Sequence, residues 1–540
     1  MTKDFEIASK VRLKPIREVA AGLGLSPERL FMYGEHIAKL KLEAPLGTPK
    51  RARYVVVSGI NPASSRGEGK TTVAIGLAMA LWRLGKRAIL TLREPSMGPV
   101  FGIKGGATGG GFAQILPMEE INLHFTGDFH AVTQAQNLAA AVLGAHRFHG
   151  NALGIEPRSV WWPRVMDLNE RQLRHIVAGI GGELEETRFE ITPASETMAI
   201  LALAKGLDDL RLRLGRASVG FDVQGGLVTL EALGASGAMA ALLKHALLPN
   251  LVQTIEHTPC FVHAGPFANI AHGASSVVAD TLALALGDIV VTEAGFGTDC
   301  GLEKLAHIKV PALGTAPELV VLVVTLQGLL THGNGCLKAG LSHLQKHIEN
   351  VRTFGLPCLV ALNVFAGDAH GPIREIEDAT LGYGASGTRQ VHAHAMGSAG
   401  VMDLAELLLE AHTKGQGFRP LYTQECTMQD KLYRIATTLY GADDVRFSPK
   451  AVKELERIKA LGLTGLPVNI AKTPMSLSHD PQKKGVPKDF IVPIEGFRIA
   501  TGAGFITAFA GNIQTMPGLP RRPAALGIDV DGQGNTLGLF

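Results

Sequence analysis

Six consecutive residues, Gly67-Glu68-Gly69-Lys70-Thr71-Thr72, have the types and order that bind a polyphosphate. Glycines at 67 and 69 tolerate positive φ, so successive backbone N–H groups can converge on phosphate oxygens. Lys70 supplies a cation for the β- and γ-oxygens, and the Thr71 hydroxyl is suited to ligating Mg²⁺. The full pattern G-x-x-x-x-G-K-[ST] wants glycine at 64, where this chain has Ser64, so the match is to its G-K-T core. The bland alternative is a glycine turn with a lysine nearby by chance. The flanking elements weigh against it.

Before the loop, Tyr54-Val55-Val56-Val57-Ser58 is a continuous apolar run, the pattern of a strand buried on both faces. After it, Val73, Leu77, Leu81 and Leu84 recur at helical spacing, and Ala88-Ile89-Leu90-Thr91-Leu92 reads as the next strand. Strand, loop, helix, strand is a βαβ unit. Arg93 then stands at the carboxyl end of a strand, where open α/β sheets take ligands. Beyond it, Gly98 to Gly111 holds seven glycines in fourteen residues, with Lys104 among them, and reads as a loop wrapping a ligand.

Further strand-like runs at Phe261-Val262, Asp288 to Val291, Leu319 to Val324 and Cys358 to Leu362 alternate with helical stretches such as Ala238 to Leu247 and Val277 to Leu286. This predicts an α/β protein with a P-loop NTPase-like, doubly wound parallel sheet. The sheet domain is expected over 1–149 and 213–445. An inserted α+β subdomain is expected over 150–212, where Asn169 to Arg174 suggests a helix, and a C-terminal α+β domain over 446–540. Near the N-terminus, Ser26-Pro27 has the form of a helix cap and first turn.

Composition narrows the function classes. The 540 residues carry a net charge of only +3 and no long Lys/Arg run, so no nucleic-acid footprint is indicated. The five cysteines form no C-x-x-C pair, which speaks against zinc and against a secreted disulfide framework. The N-terminus lacks the apolar core of a signal peptide. The longest apolar stretch, Leu319 to Leu330, is well short of the roughly 20 residues a membrane span needs. A reducing cytoplasm is the expected compartment. His124, Asp128 and His130 are spaced loosely for metal ligands and read better as structural. Asp280 and Asp299, near glycine-rich turns, could touch a cation, and loop capping explains them as well.

Longer runs carry a resemblance. Leu92-Arg93-Glu94-Pro95-Ser96-Met97-Gly98-Pro99, Ile121 to Asp128, Gly265 to Gly273, Thr292-Glu293-Ala294-Gly295-Phe296-Gly297, Ala471-Lys472-Thr473-Pro474 and Met516 to Pro520, with the glycine loop, cover nearly the whole chain. Together they resemble formate–tetrahydrofolate ligase. The resemblance implies that formate attacks the γ-phosphate of MgATP to give formyl phosphate. N10 of tetrahydrofolate then takes the formyl group. It implies Lys70 and Arg93 as catalytic residues, with Arg93 holding formyl phosphate, and Gly67 to Thr72 as the nucleotide loop. It also implies Phe296, Phe365 and His392 as folate contacts, a monovalent cation (K⁺ or NH₄⁺) and a homotetramer.

The departures from the family cluster. In Leu362-Asn363-Val364-Phe365-Ala366 the family's arginine is Val364 and its proline Ala366. In Gln390 to Met396 its tryptophan is His392 and its lysine His394. In Thr325 to Gly333 its arginine and lysine are Gln327 and Leu330. The phosphate end matches and the pterin end is altered. The leading expectation is therefore the ligase. The alternatives are a divergent enzyme using a modified folate or another one-carbon acceptor, and a non-catalytic nucleotide-binding partner.

Overall fold

The computed structural model describes residues 4–42, 52–63, 67–102, 108–181, 184–411, 417–511 and 513–539, so Ser64 and Lys104 lie outside the described residues. Its centre is a twelve-stranded mixed sheet. In chain order the strands are β1 (Leu30–Met32), β2 (Ala38–Leu40), β3 (Arg53–Gly59), β4 (Ala88–Leu92), β5 (Gly109–Gly110) and β6 (Ala113–Leu116). They continue with β7 (Asn250–Thr254), β8 (Pro259–Val262), β9 (Ile289–Gly297), β10 (Leu319–Val324), β11 (Cys358–Asn363) and β12 (Gly387–Val391). The spatial order is β1-β2-β7-β8-β4-β9-β3-β10-β11-β12, with β5 and β6 branching from β7. From β8 to β12 every neighbouring pair is parallel, and the β1–β2–β7–β8 edge is antiparallel.

The central parallel strands are largely apolar because both faces are covered, whereas the edge strand β12 carries the exposed Arg389 and Gln390. Tyr54, Val56, Val290, Val320, Leu322 and Val360 point into one core layer, and Val55, Val57, Val291, Val321 and Leu359 into the other. This is the period-two alternation of a strand, without a solvated side. The second layer is closed by α1 (Lys70–Arg83), whose Val73, Leu77 and Leu81 pack there with Leu404 and Leu408. Each parallel strand runs toward the same end of the sheet, so β3, β4, β9, β10, β11 and β12 open their following loops there. That end holds the site.

Outside the sheet, Arg164–Met166 pairs in parallel with Phe189–Ile191, and Ile176–Ala178 forms a hairpin with Glu185–Thr187. Near the C-terminus, Val468–Ala471, Gly496–Ala500 and Phe505–Phe509 form a three-stranded sheet. No helix among the described residues is long and apolar enough to cross a membrane.

Four local expectations change. Ser26-Pro27 opens a single 3₁₀ turn, Pro27–Arg29, and the Ser26 side chain makes no cap bond, because the chain runs at once into β1. Asn169 to Arg174 is likewise one 3₁₀ turn, Arg171–Arg174, capped by Glu170 accepting the Gln172 N–H at 2.9 Å. Asp280 and Asp299 are not loop caps. Asp280 is buried in the helix Val277–Leu286, 2.6 Å from Lys309 Nζ, and accepts the Tyr54 hydroxyl. Asp299 is fully buried, 2.5 Å from Lys472 Nζ and 3.0 Å from Asn61 Nδ2. A carboxylate in an apolar interior needs such partners, and sequence distance hides them.

Candidate active site

The glycine loop joins the end of β3 to α1. Gly67 and Gly69 have φ of 71° and 81°, and Gly69 occupies the cap position just before the helix. A Cβ at Gly69 would lie 2.5 Å from Asn363 Nδ2, so glycine is required by space as well as by φ. The Asn363 amide, at the end of β11, donates to the Glu68 carbonyl at 3.1 Å. The Glu68 side chain is buried, accepting the Ala63 N–H at 2.9 Å and the Thr325 hydroxyl. Three strand ends thus fix the loop, and the first N–H groups of α1, which have no partner within the helix, are of the kind that take an anion. Lys70 starts that helix, and its side chain folds back across Gly59, whose Cβ would lie 3.1 Å from Lys70 Cδ and 3.5 Å from Nζ.

Glu293 brings the loop to the next group. β9 lies beside β3 with Glu293 opposite Val57, which sets its carboxylate beside the residues that follow β3. The Thr71 hydroxyl donates to Glu293 Oε2 at 2.8 Å, while Arg93 Nη2 lies 3.8 Å from Glu293 Oε1. Arg93 Nη1 also donates to the Pro266 carbonyl at 3.3 Å, and its Nε is buried without a partner among the described residues. A buried guanidinium N–H lacking an acceptor is costly unless an anion supplies one. The paired hydroxyl and carboxylate of Thr71 and Glu293 are hard oxygen donors of the kind Mg²⁺ takes.

Two further groups shape this region. Phe296, three residues beyond Glu293, has φ of 62°, a strained conformation for a side chain with a Cβ. His272 is fully buried, and neither ring nitrogen has a partner among the described residues. Burial, reinforced by the Lys309 and Arg93 cations, holds its pKa well below the ordinary imidazole value, so it is neutral. Glu293 and His272 stand inside segments that carry the resemblance, yet spacing gives neither a role. β9 pairing places the first and the Gly265–Gly273 loop the second.

The other predicted residues are distributed along the same sheet end. Thr72 is the third residue of the α1 sequence. Phe365 follows Asn363 by two and is 51% exposed, with its N–H on Asp368 Oδ2 at 2.9 Å. His392, after β12, borders a separate cavity of about 320 Å³ with Glu377, Arg389, Met396 and Asp403. No ring contact joins Phe296, Phe365 and His392 among the described residues. Val364 and Leu330, which stand where the resemblance expects charge, pack against the apolar core. His394 lies 3.5 Å from Asp4, whose carboxylate accepts the Gly111 N–H at 2.9 Å. Asp128 is held by Lys39 at 2.8 Å and by Asn250 at 2.8 Å, whereas His124 and His130 are exposed, so these three do not converge.

Comparison with known proteins gives the family. The family model for formate–tetrahydrofolate ligase matches residues 2–540. A formate–tetrahydrofolate ligase of Thermus thermophilus is 49% identical over 98% of this chain and 99% of its own length. One of Roseiflexus castenholzii is 46% identical and one of Limosilactobacillus fermentum 47%, each over the full length of both chains. With matches of this length, and with the glycine loop, the Thr71–Glu293 pair and Arg93 gathered at one sheet end, the chain belongs to the formate–tetrahydrofolate ligase family.

Proposed function

We propose that this ligase joins formate to N10 of tetrahydrofolate through formyl phosphate, driven by ATP. A formate oxygen attacks the γ-phosphorus as the bond to the β–γ bridging oxygen breaks, and ADP leaves. N10 then attacks the formyl carbon, the C–O bond to phosphate breaks, and N10 gives up its proton. The α1 N-terminus and Lys70 stabilise charge spread over the transferring phosphoryl group. Thr71 and Glu293 would hold Mg²⁺, which draws charge from the phosphate oxygens when bound. Arg93 binds the formyl phosphate oxygens. Phe296, Phe365 and His392 contact the folate, a K⁺ or NH₄⁺ ion assists, and the enzyme works as a cytoplasmic homotetramer.

The observation that carries this reading is the orphaned Arg93 Nε beside a Glu293 that also accepts from Thr71. One carboxylate links the nucleotide loop to a guanidinium with an N–H to offer an anion, which is what a transfer from ATP to a second anion requires. Purified protein supplied with ATP, formate and tetrahydrofolate should give 10-formyltetrahydrofolate, ADP and phosphate in equal amounts. ATP hydrolysis without formyl product, at any folate concentration, would remove the proposal.

A second reading, an altered acceptor, is favoured by the packing of the half-buried Val364 and Leu330 against the apolar core and by the separate cavity beside His392. Comparing turnover with tetrahydrofolate against modified pterins decides between them. Ordinary kinetics with tetrahydrofolate leaves the second without a motive.

A further inference from the structure

A larger cavity, of about 600 Å³, opens between the 158–189 segment and the C-terminal three-stranded sheet. None of the glycine-loop residues, Arg93 or Glu293 lines it. Its size is that of a small-molecule pocket, about 300–1,000 Å³. Two features of its wall point to one kind of ligand.

The first is charge. Arg158, Arg174, Arg188, Lys450, Arg457 and Arg498 face it, against the carboxylates Glu454 and Glu495. Arg188 (at 3.4 Å) and Arg498 are both occupied by the buried Glu190, and Glu454 by the Phe497 N–H at 2.7 Å and by Lys450 at 3.7 Å. Arg158 and Arg457 have no carboxylate partner among the described residues, and Arg174 uses its Nε on the Met516 carbonyl at 2.8 Å. Guanidinium edges therefore face the opening in excess of local acid, a field that attracts anions.

The second feature is aromatic. Trp161 packs edge-to-face on Phe221 with centroids 4.9 Å apart, and Arg457 lies 4.3 Å over the Phe221 ring. Phe189, Phe497 and Phe509 complete the apolar wall. A solvated cationic face has no need of such rings, whereas a bound planar ligand would stack on them.

We propose that this cavity is a second small-molecule site, for a planar aromatic ring carrying two or more negative charges. A nucleoside polyphosphate and a ring-bearing polycarboxylate both have that chemistry. ADP and folic acid are therefore the two probes. Calorimetric titration of the full chain should show, for at least one of them, one more site per chain than the Arg158→Ser/Arg457→Ser variant shows. That extra site should quench Trp161 fluorescence. Both arginines are exposed, so the variant should keep its remaining site and its turnover within about twofold of wild type. Trp161→Leu, with every cation kept, should weaken the same probe by about tenfold. A site seen with ADP alone assigns a nucleotide, and one seen with folic acid alone assigns a polycarboxylate. Tripolyphosphate and tricarballylate lack the ring and should bind at least about tenfold more weakly. The proposal is overturned if neither probe shows an extra site, if that site survives in the double variant, or if the ringless anions bind equally well.

Discussion

Glu293 accepts the Thr71 hydroxyl and lies within ion-pair distance of Arg93, so it touches the groups at both ends of the proposed transfer. Glu293→Gln keeps the size and one acceptor oxygen but removes the charge that would hold Mg²⁺. Its kcat should fall by about 10²-fold or more, while ADP binding measured without Mg²⁺ changes little. Equal losses in both would mean that Glu293 only supports the loop. At the other end, His392→Trp restores a large ring beside the cavity that His392 borders. If that ring stacks on the folate, KM for tetrahydrofolate should drop by about tenfold with kcat steady. An unchanged KM would place His392 away from the acceptor. Lys70, Thr71 and Arg93 are legible in sequence because their signals are local: glycines before a helix, an arginine after a strand. Glu293 is not, since only the β9–β3 register sets it beside Thr71. His272 is hidden for a similar reason: its burial among cations is a property of the folded loop.

Among the elements, those with a continuous pattern over many residues are readable beforehand, such as β3, α1, β4, β10 and β11. The 3₁₀ turns at Pro27–Arg29 and Arg171–Arg174 are not, because a cap-like dipeptide or a short charged run does not show how soon the next element interrupts it. The loop between β3 and α1 depends on Gly69. Gly69→Ala must fit a Cβ at φ of 81° and 2.5 Å from Asn363 Nδ2, which costs roughly 1–2 kcal/mol in backbone strain alone. The loop would shift, and ADP affinity should fall by at least about tenfold, with far-ultraviolet circular dichroism unchanged; unaltered affinity would show that the loop adjusts freely. The N-terminal helix Asp4–Ala8 is tied to Gly111 through Asp4 and His394. Their hydrogen bond and mutual attraction raise the His394 pKa and lower that of Asp4. The raised imidazole contributes stability below its ordinary pKa of 6.5 and loses it as pH rises through the raised value. The lowered carboxylate contributes above 3.8 and loses it as pH falls through the lowered value. Once corrected for the intrinsic rate, amide exchange in 4–8 should be slowest between these limits and accelerate above neutral pH. His394→Lys, which keeps its charge there, should abolish the alkaline acceleration.

Across the whole molecule, two carboxyls, the buried Asp167 and the half-buried Glu196, tie the segment between Arg164 and Leu203 to its neighbours. Asp167 accepts the Ser96 hydroxyl at 2.6 Å and the Met97 N–H at 2.9 Å, just beyond Arg93. Glu196 Oε1 accepts the N–H groups of Gly502 at 2.8 Å and Ala503 at 3.2 Å, beside the C-terminal sheet. Burial outweighs these hydrogen bonds and pushes both up to about 7, from 3.8 and 4.5 respectively. A carboxyl whose pKa is raised by folding contributes stability below its unfolded pKa and loses it as pH rises through the folded value. Resistance to urea should therefore decline between about pH 4 and pH 7 and level off above, on top of the chain's other titrations. Asp167 carries the larger share, on the order of a few kcal/mol, because Glu196 keeps some solvent contact. Asp167→Asn keeps an acceptor for Met97 and offers a donor to the Ser96 oxygen, while Glu196→Gln keeps the oxygen that takes both N–H groups. Neither substituent ionises. The double variant should thus match wild type near pH 4, exceed it increasingly up to about pH 7 and by a steady margin at pH 8, and show a flatter urea midpoint between. A slope equal to that of wild type would mean that both carboxyls are ionised in the folded chain at neutral pH, held by partners other than these four backbone and hydroxyl donors.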